Sequence, residues 1–203
     1  MPSAETTRLV ILDPSIFFYQ ATQTALAHIY KDAILYGCDE TGALQAIGSN
    51  PALILIGPNW TPPQSLHLCR AMRRRTSDTR AIIVSAAADE PLFQTDAAYS
   101  GASACLTPFV DAETIAHALD QAQRGATLFA PKILRDAHQL AEPTKRELEL
   151  LRALAQEKTD REIADELCLS EHTVGAHLRN IFRKMEAHDR KEAVRRARHR
   201  GWV

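Results

Sequence analysis

Over roughly the first 125 residues the chain alternates between two hydrophobic periods. Short apolar runs rich in β-branched residues have the length and composition of buried strands: Leu9 to Asp13, Ala33 to Gly37, Ala52 to Gly57, Ala81 to Ser85 and Ala104 to Leu106. Between them, segments near Ile16 to His28, Thr41 to Ile47, Pro62 to Arg74, Pro91 to Tyr99 and Ala112 to Gln123 have helix length and amphipathic character. Strand and helix in regular succession predict an α/β fold, a doubly wound five-stranded parallel sheet with helices on both faces.

Beyond residue 143 the strand period disappears and helical signals take over. Thr144 followed by Glu147 has the spacing of a capping box, and so does Thr159 followed by Glu162. After the second box, Ile163, Ala164 and Leu167 form one apolar stripe. Cys168, Leu169 and Ser170 interrupt that helix. Ser170 can cap the next one, whose apolar positions Val174, Leu178, Ile181, Phe182 and Met185 keep the 3.6-residue period. A break of three residues between two short helices is a helix-turn-helix length. The organisation predicted is a domain over residues 1–126, a partly helical linker over 127–142, and an all-α four-helix domain over 143–203.

The outward face of the helix after Ser170 carries His172, Thr173, Ala176, Arg179, Arg183 and Lys184. Small residues near its start let a helix approach base edges, and cations further along hold phosphates. A solvated helix in any all-α domain would share the periodicity, so charge placement has to decide. The formal net charge of the chain is -1, yet residues 171–203 hold nine cations against four acids, a net of +5 that leaves -6 for the rest. A basic end following a helix-turn-helix is the electrostatic footprint of a phosphate-binding surface.

Residues 143 to 200 resemble the LuxR-type helix-turn-helix found at the C-terminus of NarL/FixJ response regulators. The resemblance is carried by Thr144, Arg146, Glu147, Glu149 and Leu151, then by Thr159, Glu162, Ile163, Ala164, Leu167, Ser170, Thr173, Val174, His177, Asn180, Ile181 and Lys184. Asp189, Arg190, Glu192 and Ala193 complete it. It implies a partner in double-stranded DNA, with Thr173, Ala176 and Arg179 facing bases and His172, Arg183 and Lys184 nearer phosphates. It also implies a homodimer, since the family's last helix, here Lys191 to Trp202, commonly forms the dimer contact on paired half-sites. Two positions depart from the family. Gly175 stands where a groove-reaching lysine is usual, which removes a side-chain contact, and Glu157 replaces a turn glycine.

The upstream pattern is similar to the receiver domain of response regulators, a flavodoxin-like fold, over roughly residues 8 to 125. A working receiver needs an aspartate at the end of the third strand to accept phosphate, and acidic residues after the first strand to hold Mg²⁺. A hydroxyl after the fourth strand and a lysine after the fifth then meet the phosphoryl charge. Here the third strand ends at Gly57, which offers no oxygen to phosphorylate. Asp13 is followed by Pro14 where an acidic pair is expected, and LTPF from Leu106 lacks the lysine. Asp13 and Ser85 are the residual receiver positions. Asp13 suits the N-cap of the first helix better than a leftover metal site, and Ser85 reads as a strand-end hydroxyl. A switch worked by aspartyl phosphorylation is therefore not expected.

The remaining composition is that of an ordinary soluble protein. No apolar run approaches 18 residues and no signal-peptide pattern opens the chain, which predicts a cytoplasmic protein without a membrane partner. Cys38, Cys69, Cys105 and Cys168 are isolated, and the histidines lack metal-ligand spacing, so neither a metal nor any other cofactor is expected. No catalytic pairing or phosphate loop suggests an enzyme. Arg70, Arg73, Arg74 and Arg75 read as a solvated helix end or a docking patch for an acidic partner. Trp60, in GPNWTPP, reads either as a rigid contact residue or as a lid over the altered pocket. The function expected is a DNA-binding transcription regulator whose pseudo-receiver responds to a sensor or regulatory protein, or to a ligand. The rivals are an adapter that docks a sensor protein and binds DNA weakly, and a small-molecule sensor.

Overall fold

The computed structural model describes residues 8–30, 34–48, 51–75 and 78–203. It divides into two compact units after Ala137. In the first, β1 (Leu9–Leu12), β2 (Ile34–Gly37), β3 (Leu53–Ile56), β4 (Arg80–Val84) and β5 (Ala102–Leu106) form one sheet in the order β2-β1-β3-β4-β5. Every neighbouring pair is parallel, with Leu9 to Leu12 in register with Leu53 to Ile56 at the centre. Each strand leads into a helix: α1 (Ile16–Leu26), α2 (Glu40–Gly48), α3 (Pro62–Arg75), α4 (Pro91–Ser100) and α5 (Ala112–Gln123). This is the doubly wound, receiver-like architecture read from the sequence. Strand ends differ by one or two residues, β5 beginning earlier at Ala102, and Ala33 lies outside the described residues.

The period of two explains why the strands read as continuous apolar runs. Val10, Leu12, Ile54, Ile56, Ala81 and Ile83 pack on one face with Ala43, Leu66, Met72, Phe93 and Ala97 from α2, α3 and α4. Leu9, Ile11, Leu53, Leu55, Ile82 and Val84 pack on the other with Leu26, Ile115, Ala118 and Leu119 from α1 and α5. Both faces are covered, so alternation along a strand separates two cores rather than core from solvent. Trp60 belongs to the first core at 7% exposure, its indole N–H donating to the Leu12 carbonyl at 3.0 Å.

The segment expected to link the domains is, in its first part, an extension of this unit. Leu128 N donates to the Ser103 carbonyl at 2.7 Å, and Phe129 and Ile133 enter the first core. Ile133 lies on α6 (Pro131–Gln139), where Ala137 is buried as well and Leu134 packs against the same core. The arginine run is structural in part: Arg73, Arg74 and Arg75 are exposed, as a solvated helix end would be, but three of the four arginines also hold neighbouring helices. Arg70 is buried and donates to the Ser100 hydroxyl at 3.2 Å, Arg73 lies over the Tyr99 ring at 5.4 Å, and Arg75 donates to the Leu44 carbonyl at 2.7 Å. These bonds tie α3 to α4 and α2.

The second unit contains α7 (Lys145–Ala155), α8 (Asp160–Leu167), α9 (Glu171–Met185) and α10 (Arg190–His199). They close around Leu150, Leu151, Leu154, Ile163, Val174, Leu178, Ile181, Met185, Ala193 and Ala197. Both capping boxes form, at Thr144 with Glu147 and at Thr159 with Glu162. Among the described residues no helix is long and apolar enough to cross a membrane.

Candidate functional site

Two places in the chain carry the functional question, the exposed face of α9 and the carboxyl-terminal edge of the sheet. The first is set by local chemistry. Cys168 ends α8 in a left-handed conformation, φ 52°, and the Ser170 hydroxyl accepts from Thr173 N at 3.1 Å to start α9. Val174, Leu178, Ile181 and Met185 anchor one side of α9 in the core, so its other side has a fixed orientation. His172, Arg179, Arg183 and Lys184 are exposed there, with Thr173, Gly175 and Ala176 half-buried between them. The sequence-predicted residues are thus brought onto one face, presented with cations in its last turn.

Lys184 has a second attachment. Its ammonium lies 2.8 Å from a carboxylate oxygen of Glu147, the residue that closes the capping box of α7. Burial works against ionisation of that carboxyl, but bonds from Lys184 and from the Thr144 hydroxyl and backbone outweigh it and hold Glu147 below its ordinary range. Lys184 therefore clamps α9 to α7. Arg190 and Arg196 are similarly engaged, with Asp160 and with Glu192 at 2.9 Å. Charge counted along the sequence thus exceeds the charge available at the surface. These pairs span 37 and 30 residues in two cases, and local pattern carries no trace of them.

The second place is where a receiver would hold its phosphoryl group. Gly57 follows β3, its N–H donating to the Leu12 carbonyl at 2.8 Å. A Cβ at Gly57 would lie 2.7 Å from Phe18 Cε1 and 2.8 Å from Asp13 Cγ, closer than side chains tolerate. The Asp13 carboxylate, fully buried, thus fills the space an acceptor side chain would need. It accepts from Ser15 N at 2.6 Å, from Asn59 N at 3.0 Å and from Asn59 Nδ2 at 2.9 Å. The N-cap expected of Asp13 is a correction: Ser15 caps α1, its hydroxyl accepting from Phe18 N at 3.5 Å. Asp13 sits two residues too early for the cap, so its carboxylate turns inward. Ser85 is buried, and its hydroxyl accepts from Ala87 N at 3.2 Å, satisfying local backbone. Asn59 was not singled out from the sequence; a polar residue two positions past Gly57 in a proline-bounded loop was the available signal.

The Mg²⁺ that receivers hold does not fit this donor set. Asp13 is the one carboxylate left at the positions a receiver uses, both its oxygens are occupied by N–H donors, and Pro14 and Gly57 supply no side-chain oxygen. Among the described residues no group of three or more His, Cys, Asp or Glu converges on a point.

Comparison with known proteins agrees with the architecture. The family described as bacterial regulatory proteins, luxR family, matches residues 143–197. The nitrate/nitrite response regulator protein NarP of Escherichia coli (strain K12) is 31% identical over 154 residues, covering 70% of each chain. The transcriptional regulatory protein DegU of Brevibacillus brevis is 25% identical over 224 residues, 97% of this chain and 94% of that one. Among solved structures, RcsB from Salmonella enterica serovar Typhimurium bound to promoter P1flhDC aligns with a TM-score of 0.57 at 14% identity. That alignment covers 96% of this chain and 99% of the other, a likeness of fold.

Proposed function

The chain belongs to the transcriptional response regulators that end in a LuxR-type helix-turn-helix domain, and from that premise we propose that it binds duplex DNA under control that does not pass through aspartyl phosphorylation. The observation that carries the second half is the pairing of Gly57 with the buried Asp13 carboxylate. The acceptor oxygen is missing, its space is filled, and the metal that would neutralise an incoming phosphoryl group has no ligand set. The first domain then acts through a protein or ligand bound to it. Large apolar side chains left at its surface, Phe17 at 79% exposure and Phe109 at 95%, support a protein. The DNA-facing set is His172, Thr173, Gly175, Ala176, Arg179 and Arg183, with Lys184 shared between the fold and the phosphates. The protein binds as a homodimer through α10, on half-sites about one helical turn, roughly 34–36 Å, apart.

Incubation with labelled acetyl phosphate and Mg²⁺ tests the input half. No label is retained and sedimentation is unchanged by beryllofluoride; a stable acyl phosphate, or a Mg²⁺-dependent change in assembly, refutes it. The rival adapter is favoured by the engaged cations of α9 and α10 and by Gly175. Salt separates the two, because several phosphate contacts give a steep fall of log K with log salt. An affinity near background at physiological salt would favour the adapter.

A further inference from the structure

On the outward face of α9 several polar groups are engaged in bonds of their own among the described residues, while His172 and Arg179 are not. The Thr173 hydroxyl shares a 2.8 Å hydrogen bond with the Ser170 hydroxyl. Arg183 donates to Asn180 Oδ1 at 3.1 Å, and Lys184 lies against Glu147. Ala176 offers a methyl group. Arg179 differs: it is exposed and has no hydrogen-bond or ion-pair partner among the described residues. A helical side chain leans toward the N-terminus, over the residue four positions before it. For Arg179 that residue is Gly175, and a Cβ placed there would meet Arg179 Nη1 at 3.6 Å. The guanidinium therefore lies along bare helix surface, in the N-terminal half of α9.

We infer that Arg179 is the residue that sets base specificity, that it reads a guanine, and that Gly175 is the seat that aims it. The inference rests on the duplex-DNA reading above. A guanidinium fork holds only donors, and guanine is the base that presents two acceptors, O6 and N7, side by side in the major groove. Adenine sets a donor beside its N7 and repels one arm of the fork. A side chain already laid along the helix loses less rotamer freedom on binding. A lysine at position 175 would fill the seat and set a like charge beside the guanidinium, so the glycine is an alternative way to reach the groove.

The test uses the full-length protein to select sites from a random duplex library. The selected duplex is then rebuilt with 7-deazaguanine, which lacks N7, at each guanine in turn. At one guanine per half-site the affinity falls by about fivefold or more. Arg179→Ala binds the unmodified duplex more weakly, is indifferent to the deaza substitution at that guanine, and loses about one unit of salt slope at most. Gly175→Ala keeps the preference, because a Cβ at 3.6 Å is in ordinary contact. Gly175→Leu loses it, since the longer side chain takes the guanidinium's place while strengthening the helix. A deaza penalty that persists in Arg179→Ala, or a tightly bound selected site with no fixed guanine, overturns the inference. Failure to select any sequence, with affinity independent of salt, overturns the DNA reading itself.

Discussion

Asp13 and Gly57 stand opposite each other at the ends of β1 and β3, so a change at one alters what the other tolerates. Replacing Asp13 by Ala leaves the N–H groups of Ser15 and Asn59 without their acceptor, at a cost of about 1–3 kcal/mol. Gly57→Ala pushes a methyl group into Asp13 and Phe18 and costs about 1–3 kcal/mol by overpacking. Combined, the two cost less than their sum, because the methyl group enters space the carboxylate has left. Urea unfolding of the three variants measures this coupling, and strict additivity would remove Asp13 from over Gly57. Glu147 gives a second expectation at this scale. Its folded pKa lies below the ordinary 4.5, so its contribution is complete above that pH and is lost as pH falls through the lowered value. Glu147→Gln keeps an N3 side chain for the cap but flattens that acid-side loss, which parallel unfolding series at several pH values will record.

At the scale of elements, what is local was legible and what acts through space was not. The three N-caps Thr144, Thr159 and Ser170 form where the sequence places them, because a cap is decided within three residues. Strands were recognised as apolar runs and helices by their period for the same reason. The inward turn of Asp13 depends on Asn59, 46 residues away, and the clamp on Lys184 depends on Glu147, 37 away. Arg70 reads as a helix-end cation until α4 brings Ser100 against it. The absent acceptor was visible as a glycine, whereas the filling of its space needed the fold. Glu157 lies between these cases. It holds φ 60° just past α7, where the family's glycine would be free of strain. Glu157→Gly should therefore raise the stability of the second unit by about 1 kcal/mol, the lower end of the left-handed penalty for an L-residue. Thermal unfolding that shows no gain, or a loss, would place the strain elsewhere.

On the scale of the whole molecule, the two units divide chemistry between them. The first has the doubly wound sheet, whose carboxyl edge at the β1/β3 switch point is where such folds bind ligands, and that edge is closed by Asp13, Asn59 and Trp60. The second keeps its caps, its core and a basic helix face with one unengaged arginine over a glycine. An output that survives while the phosphorylation chemistry is lost is the central claim. It is tested most directly by the Kd of the full-length protein for its selected duplex, measured with Mg²⁺ in the presence and absence of beryllofluoride. The account predicts one specific, salt-dependent Kd, the same in both conditions. A Kd that tightens with beryllofluoride only when Mg²⁺ is present would contradict it.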